Sequence, residues 1–327
     1  MTEALIHRRN TRMSADTNVS DDTEITLTHD DLTLVVSPYG ASLRGLSREV
    51  DGEPHPIVTG YSGAKNKVGG QGDVLIPFPG RVREGRYTFE GQEHQMVKND
   101  SEAPNAIHGF LRKIVWDTLD RSESAVTFST TFDSRAHEGY PFALRAQVTY
   151  RVTAQGMHCA FDIENLSAGD APVAAGFHPY FTVGSDLIDL DTLHVPFQST
   201  LEYNENLVPT GTVLPVEGTS FDFRHPHPIG DTVFNTCFLN PLRDTDGLLR
   251  ISLSDPATGR AVTVALDRAF DYVVLYSGDP LPDTHRRRAL AIEPMTCGSD
   301  AFNHPEWGLV SLGPDESLSG SWEVTAE

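Results

Sequence analysis

The sequence predicts an all-β protein built as a large antiparallel sandwich or barrel, on three observations. Short runs alternating apolar with polar residues recur along most of the chain, and Gly, Pro, Asp or Asn separate them. No window keeps a helical period over the roughly ten residues a helix needs. Strands spaced by turn signals at intervals of about 8 to 12 residues mark sandwiches and barrels.

In chain order, Glu24 to Thr28 and Leu32 to Ser37 alternate, and SPYGAS leads from them into Leu43 as loop chemistry. Gly85 to Met96 forms a hairpin about Glu90-Gly91, with Tyr87 and Phe89 on one face. Alternating runs follow at Val126 to Phe132, Leu144 to Val152 and Met157 to Ile163. Leu248 to Leu266 reads as two strands about a DPATG turn, and Tyr272 to Tyr276, Ala289 to Ile292, Leu309 to Leu312 and Leu318 to Val324 complete the series. The interval Glu217 to Asp231, rich in Gly, Pro and His, is the most loop-like. Strands of the same character resume after it, so it reads as a long rim loop of one domain over residues 24–327. Residues 1–23 form a polar tail that is expected to fray.

Composition narrows the function. Net charge is −21 and only four residues are lysine, Lys65, Lys67, Lys98 and Lys113. So acidic a surface repels phosphate backbones, which excludes nucleic acid as a partner and disfavours polyanions. No run approaches the roughly 18 uncharged apolar residues that cross a bilayer, so no membrane partner is expected. The basic N-terminal residues precede no apolar stretch of signal-peptide length, which points to the cytoplasm. Cys159, Cys237 and Cys297 lie far apart with no CxxC, so neither a disulfide framework nor a cysteine zinc site is implied.

Candidate site residues sit at expected strand ends. In RALAIEPMTCGSDAFN, Ala289 to Ile292 is a wholly apolar run and Glu293 caps it. Pro294 holds Glu293 in an extended conformation, and partial burial there raises a carboxyl pKa toward the range of a general base. AAGFHPYF gives His178 the same strand-end setting, also before a proline. NAIHGFLRKIVW puts His108 before Gly109 at the start of a strand running to Trp116, and PFPGRVREGRY puts Arg81 after a proline-broken turn. Each alone has a structural explanation as a hydrogen-bonded histidine or a solvated charge.

Taken together, NAIHG, GFHPYF and IEPMT, in that order and at these separations, resemble the aldose 1-epimerase (galactose mutarotase) family. PFPGRVREGRYTFEG is similar to that family's stretch carrying a sugar-binding arginine, and LGPDESLSGSWEV to its closing strands. The resemblance spans Leu32 to Val324. It implies a single supersandwich domain with an open cleft, no metal, no organic cofactor and a free sugar as partner to a monomer or homodimer. It also implies Glu293 as general base, His178 as general acid, His108 as a second, orienting histidine, and Arg81 with its neighbour Gly80 at the sugar hydroxyls.

Those residue types suit anomer exchange. A hexose opens when its C1 hydroxyl loses a proton and its ring oxygen gains one, and a carboxylate with an imidazole supplies both transfers. Tyr180 or Phe181 is expected to pack on the sugar's C–H face. Two departures from the family pattern bear on which sugar is taken. Asn235 stands where a carboxylate usually binds a hydroxyl, with Asp231 four residues earlier as the nearest acid, and Val274 stands where some members have a polar ligand. Other readings are a sugar sensor without catalysis, a hexose-phosphate epimerase using Arg81, Arg83 and Arg112, and a metal-dependent barrel. Gly69 to Gly72 reads as a cleft rim.

Overall fold

The structure is a computed structural model and describes residues 23–327, so the expected tail lies outside the described residues except for Thr23. Strands hold 47% of the residues and no helix reaches seven, which among the described residues makes the class all-β, as expected.

Two large antiparallel sheets make up the architecture. The ten-stranded sheet runs, edge to edge, through Ile25–His29, Leu32–Ser37, Ser42–Val50, Glu53–Thr59, Tyr180–Phe181, Leu290–Met295, Tyr272–Tyr276, Asn235–Pro241, Phe197–Tyr203 and Pro209–Pro215. The nine-stranded sheet runs through His227–Pro228, Thr192–His194, Leu249–Ser254, Ala261–Leu266, Ser317–Ala326, Gly156–Asn165, Leu144–Thr153, Ala125–Phe132 and Asp117–Arg121.

Alternation explains the packing. In Leu144–Thr153 the residues Leu144, Ala146, Val148, Tyr150 and Val152 are buried while their neighbours are partly or fully exposed, since successive side chains point to opposite faces. They meet Leu27, Leu34 and Val36 of the other sheet in one apolar core. The Leu290–Met295 strand is buried at every position. One face carries Leu290 and Ile292 into that core. The other carries Met295 into a smaller cluster with Cys237, Val274 and Trp307, and Ala291 against Tyr180.

The structure corrects three sequence expectations. The Glu293 strand does not stop at Ile292, because Pro294 stays extended opposite Val273 and its carbonyl accepts the Phe177 N–H at 3.1 Å. A proline removes only a donor, and the ladder continues without it. No strand runs from His108 to Trp116. His108 and Gly109 both have left-handed backbone, at φ 62 and 61, and turn the chain into a short 3-10 segment over Leu111–Lys113. A Cβ on Gly109 would lie 2.1 Å from the Ile76 carbonyl oxygen, so this turn needs glycine. Finally, the 217–231 interval is irregular except where His227–Pro228 pairs with Thr192 and Leu193, and it does not line the cleft described next.

Candidate active site

A cleft of about 260 Å³ opens on the ten-stranded sheet, near the lower end of ligand pockets. Its floor is set by register. Glu293 stands opposite Val274, and Asn235 opposite Tyr276, so these side chains share a face. The two-stranded ladder of Arg81–Val82 with Ala106–Ile107 brings Gly80, Arg81 and His108 to one wall. Gly69, Gly70, Tyr203, Ser299 and the Asn99 to Glu102 segment complete it.

Glu293, 3% exposed, places Oε1 3.3 Å from His178 Nε2. The His108 ring stands edge-on to His178, with centroids 5.5 Å apart. Burial pushes the Glu293 carboxyl well above its ordinary range, opposed by the Arg81 charge. Burial lowers His178 to about 4, with the Asp73 charge acting against that shift and Arg112 and Lys67 reinforcing it. His108 is driven well below its usual value by burial, then by Arg112, His178, Arg81 and Lys67. Burial thus disfavours both the carboxylate of Glu293 and the imidazolium of His178, and a single proton shared by the pair can sit on the Glu293 carboxyl beside a neutral imidazole. Moving that proton across the gap gives imidazolium and carboxylate with the same proton count.

His178 is fixed from behind. Its backbone N–H donates to the Asp73 carbonyl at 3.0 Å, and the buried Asp73 carboxylate accepts from Lys67 Nζ at 2.6 Å and an Arg112 nitrogen at 3.0 Å. Arg81 is held as firmly. Its Nε donates to Asp100 Oδ2 at 2.7 Å and Nη2 to Glu102 Oε2 at 2.8 Å. Its backbone N–H donates to Ser299 Oγ at 3.2 Å. Gly80 has φ 62, and a Cβ there would lie 2.9 Å from Ser299 Oγ, so the glycine permits this approach.

Glu293, His178, His108, Arg81, Gly80 and Asn235 thus converge, and Gly69 and Gly70 form the rim. Tyr180, Phe181 and Asp231 do not line the cleft. Tyr180 lies behind His178, stacked at 5.2 Å, and its hydroxyl donates to the Gly69 carbonyl at 2.6 Å. Phe181 points into the core, so Tyr276 and Tyr203 supply the aromatic lining instead. Asp231 is exposed, in a loop whose Gly230 and Thr232 carbonyls are tied to Arg287. Asp73, Asp100 and Glu102 were not legible beforehand. They lie in loops without periodicity, and apart from Lys67, six residues before Asp73, their cationic partners are 19 or more residues away.

His108, His178 and Glu293 have ligating atoms within 4.8 Å of one another. Both imidazole Nδ1 atoms are buried without a hydrogen-bond partner among the described residues, whereas metal-bound imidazoles are ordinarily oriented by one. The charges of Arg112, Arg81 and Lys67 also act on His108. The set suits proton transfer better than metal binding. The RHPHP loop is structural, since His227 stacks on Phe223 at 4.0 Å.

A two-sheet antiparallel sandwich with a buried carboxyl–imidazole pair in an open polar cleft defines a galactose mutarotase-like protein. In fold the chain is similar to the solved GalM/aldose epimerase homologue of C. elegans, with a TM-score of 0.82 and 20% identity over 93% of this chain and 98% of that one. In sequence it is 31% identical to the uncharacterized protein YihR of Escherichia coli over 71% of each chain. It is 27% identical to the galactose mutarotase of Rattus norvegicus over 90% of each. The family model described as Aldose 1-epimerase matches residues 23–325, and the chain belongs to the aldose 1-epimerase family. That family comprises epimerase and mutarotase enzymes of the isomerase class acting on sugars.

Proposed function

We propose that this chain is an aldose 1-epimerase that interconverts the α and β anomers of a free, unphosphorylated aldohexose. The observation that carries the reading is the 3.3 Å approach of His178 Nε2 to Glu293 Oε1 in a cleft that also presents Arg81 and His108. Glu293 as carboxylate takes the proton of the C1 hydroxyl while His178 as imidazolium gives one to the ring oxygen. The bond from C1 to the ring oxygen breaks as the C1 carbonyl forms. After rotation about C1–C2 the transfers run in reverse, and the pair ends as it began. A proton shared by the two groups reaches His178 by transfer from the Glu293 carboxyl, whose pKa burial raises, so the cycle needs no net proton from solvent. Each positioned transfer contributes on the order of 10² to 10⁴ in rate. His108 orients the substrate, and Arg81 donates to hydroxyls through its remaining N–H groups.

A neutral sugar fits the charges better than a sugar phosphate. Arg81 already holds Asp100 and Glu102, and both Arg112 and Lys67 hold Asp73. Arg83 is engaged by Asp300 and the Pro209 carbonyl. No cation among these stands unpaired for a phosphate.

We further propose that residues 24–327 act as one domain, as a cytoplasmic monomer or homodimer. Among the described residues no helix is long and apolar enough to cross a membrane. Polarimetry on freshly dissolved α-glucose and α-galactose tests the reaction. Mutarotation faster than in buffer is expected, and sugar binding without acceleration would make the protein a sensor instead. Glu293→Gln keeps the shape, so it should lower turnover by at least about 10²-fold while sugar still binds.

A further inference from the structure

We propose that Glu102, braced by Asp100, is the carboxylate that recognises a sugar hydroxyl in this cleft, supplying from the loop side what the amide of Asn235 cannot supply from the sheet. This rests on the reading of the cleft as a sugar site.

Three observations carry it. First, the floor of the cleft offers an amide at Asn235 and an apolar side chain at Val274, and neither is an anionic acceptor. Second, the Asn99 to Glu102 segment lines the same cleft and brings two carboxylates to separate nitrogens of Arg81, at 2.7 and 2.8 Å. Third, the two carboxylates differ in setting. The Asp100 side chain is 3% exposed and that of Glu102 is 44% exposed. Asp100 is also the brace, because its Oδ1 accepts the Glu102 backbone N–H at 3.0 Å. Asp100 thus fixes Arg81 and the loop, while Glu102 keeps an open side toward the cleft.

Glu102 uses Oε2 on Arg81, and an ionised carboxylate has about four acceptor positions, so capacity remains for hydroxyl donors. A guanidinium N–H beside a carboxylate oxygen is a donor next to an acceptor. Adjacent hydroxyls on a pyranose, each able to donate and accept, are complementary to that pair. The negative charge of Glu102 also reaches the hydroxyl of Tyr276, the residue directly opposite Asn235. Loop carboxylate, Tyr276 and sheet amide all line the one cleft. The ligand class this selects is a neutral sugar with free vicinal hydroxyls at that position. A deoxy sugar loses the contact, and an anionic substituent meets repulsion.

The test is Glu102→Gln, at a half-exposed position where folding is not at risk, with anomer exchange followed by saturation-transfer NMR across a panel of aldoses. The expected result is a KM raised about 10- to 100-fold, the weight of a charge-assisted hydrogen bond, with a much smaller change in kcat and a flattened preference among sugars. Unchanged KM overturns the proposal. Lowered KM also overturns it, since Glu102 would then merely occupy Arg81. If the intact protein exchanges no anomers, the proposed reaction fails separately, and equilibrium binding of the same sugars decides. Weaker binding by Glu102→Gln supports the contact, whereas equal or tighter binding, or no binding by the intact protein, overturns it.

Discussion

Asp73 holds His178 with one group and its cationic neighbours with another. The backbone carbonyl accepts the backbone N–H of His178 at 3.0 Å while the carboxylate, 0% exposed, takes both Lys67 and Arg112. Removing one partner of a buried charge cluster leaves the others uncompensated. Asp73→Asn is therefore expected to cost about 3 kcal/mol or more of stability, read as a lower urea midpoint at unchanged slope. Asp73 also acts to raise the His178 pKa, so the acid limb of the activity profile should move to lower pH in this variant.

The pair predicts an unusually broad pH optimum. It holds one proton between two groups, so activity falls when it gains a second or loses the only one. The second proton goes to His178, which burial lowers to about 4, and the acid limb should lie near that pH. The last proton leaves Glu293, whose carboxyl burial raises well above the ordinary range, and the alkaline limb should lie correspondingly high. The dependence of kcat/KM on pH checks both limbs. An acid limb in the ordinary imidazole range would show that His178 is not the second group.

Gly70 rests against the imidazole. Its φ is 75, and a Cβ there would lie 2.8 Å from His178 Cδ2. Gly70→Ala thus combines left-handed strain with a push on the ring. Because displacements near 1 Å cost about 10²-fold in rate, turnover should fall by about that factor. The melting temperature should also fall by a few degrees, from the left-handed strain and the displaced buried ring.

Asp191 offers a stability test away from the cleft. It is 0% exposed, and its pKa is raised to about 6 by burial, then by the charges of Asp255 and Asp189, with the Ser185 hydroxyl acting in the other direction. A carboxyl whose folded pKa exceeds its unfolded value carries no penalty below the unfolded pKa. The penalty builds up to about pH 6 and persists above it. Asp191→Asn should therefore raise the melting temperature by several degrees near pH 8 and by almost nothing near pH 3, below the ordinary carboxyl value, where thermal scans of both proteins should coincide.

Strands were legible in the sequence because burial on one face writes a period of two, as in Leu144–Thr153. His108, His178, Glu293 and Arg81 were legible as a set because their flanking motifs are distinctive, and they do converge. Tyr180 was misplaced because a sequence does not disclose which neighbour takes a hydroxyl, and here the Gly69 carbonyl takes it. Asp231 lies near Asn235 along the chain, yet the turn pinned by Arg287 leaves it exposed. Asp73 and Asp100 are acids surrounded by loop residues, and pairing with Arg112 and Arg81 from other segments, with Lys67 added at Asp73, explains their burial.

Glu293 stands on an interior strand of the ten-stranded sheet, covered on both faces, while Glu102 stands on a loop without strand structure. Backbone amides around the former should be among the slowest in the molecule to take up deuterium, and those around the latter among the quickest. Under the proposed roles, loop residues are open to exchange that retunes which substrate is accepted while the Glu293 carboxyl stays anchored.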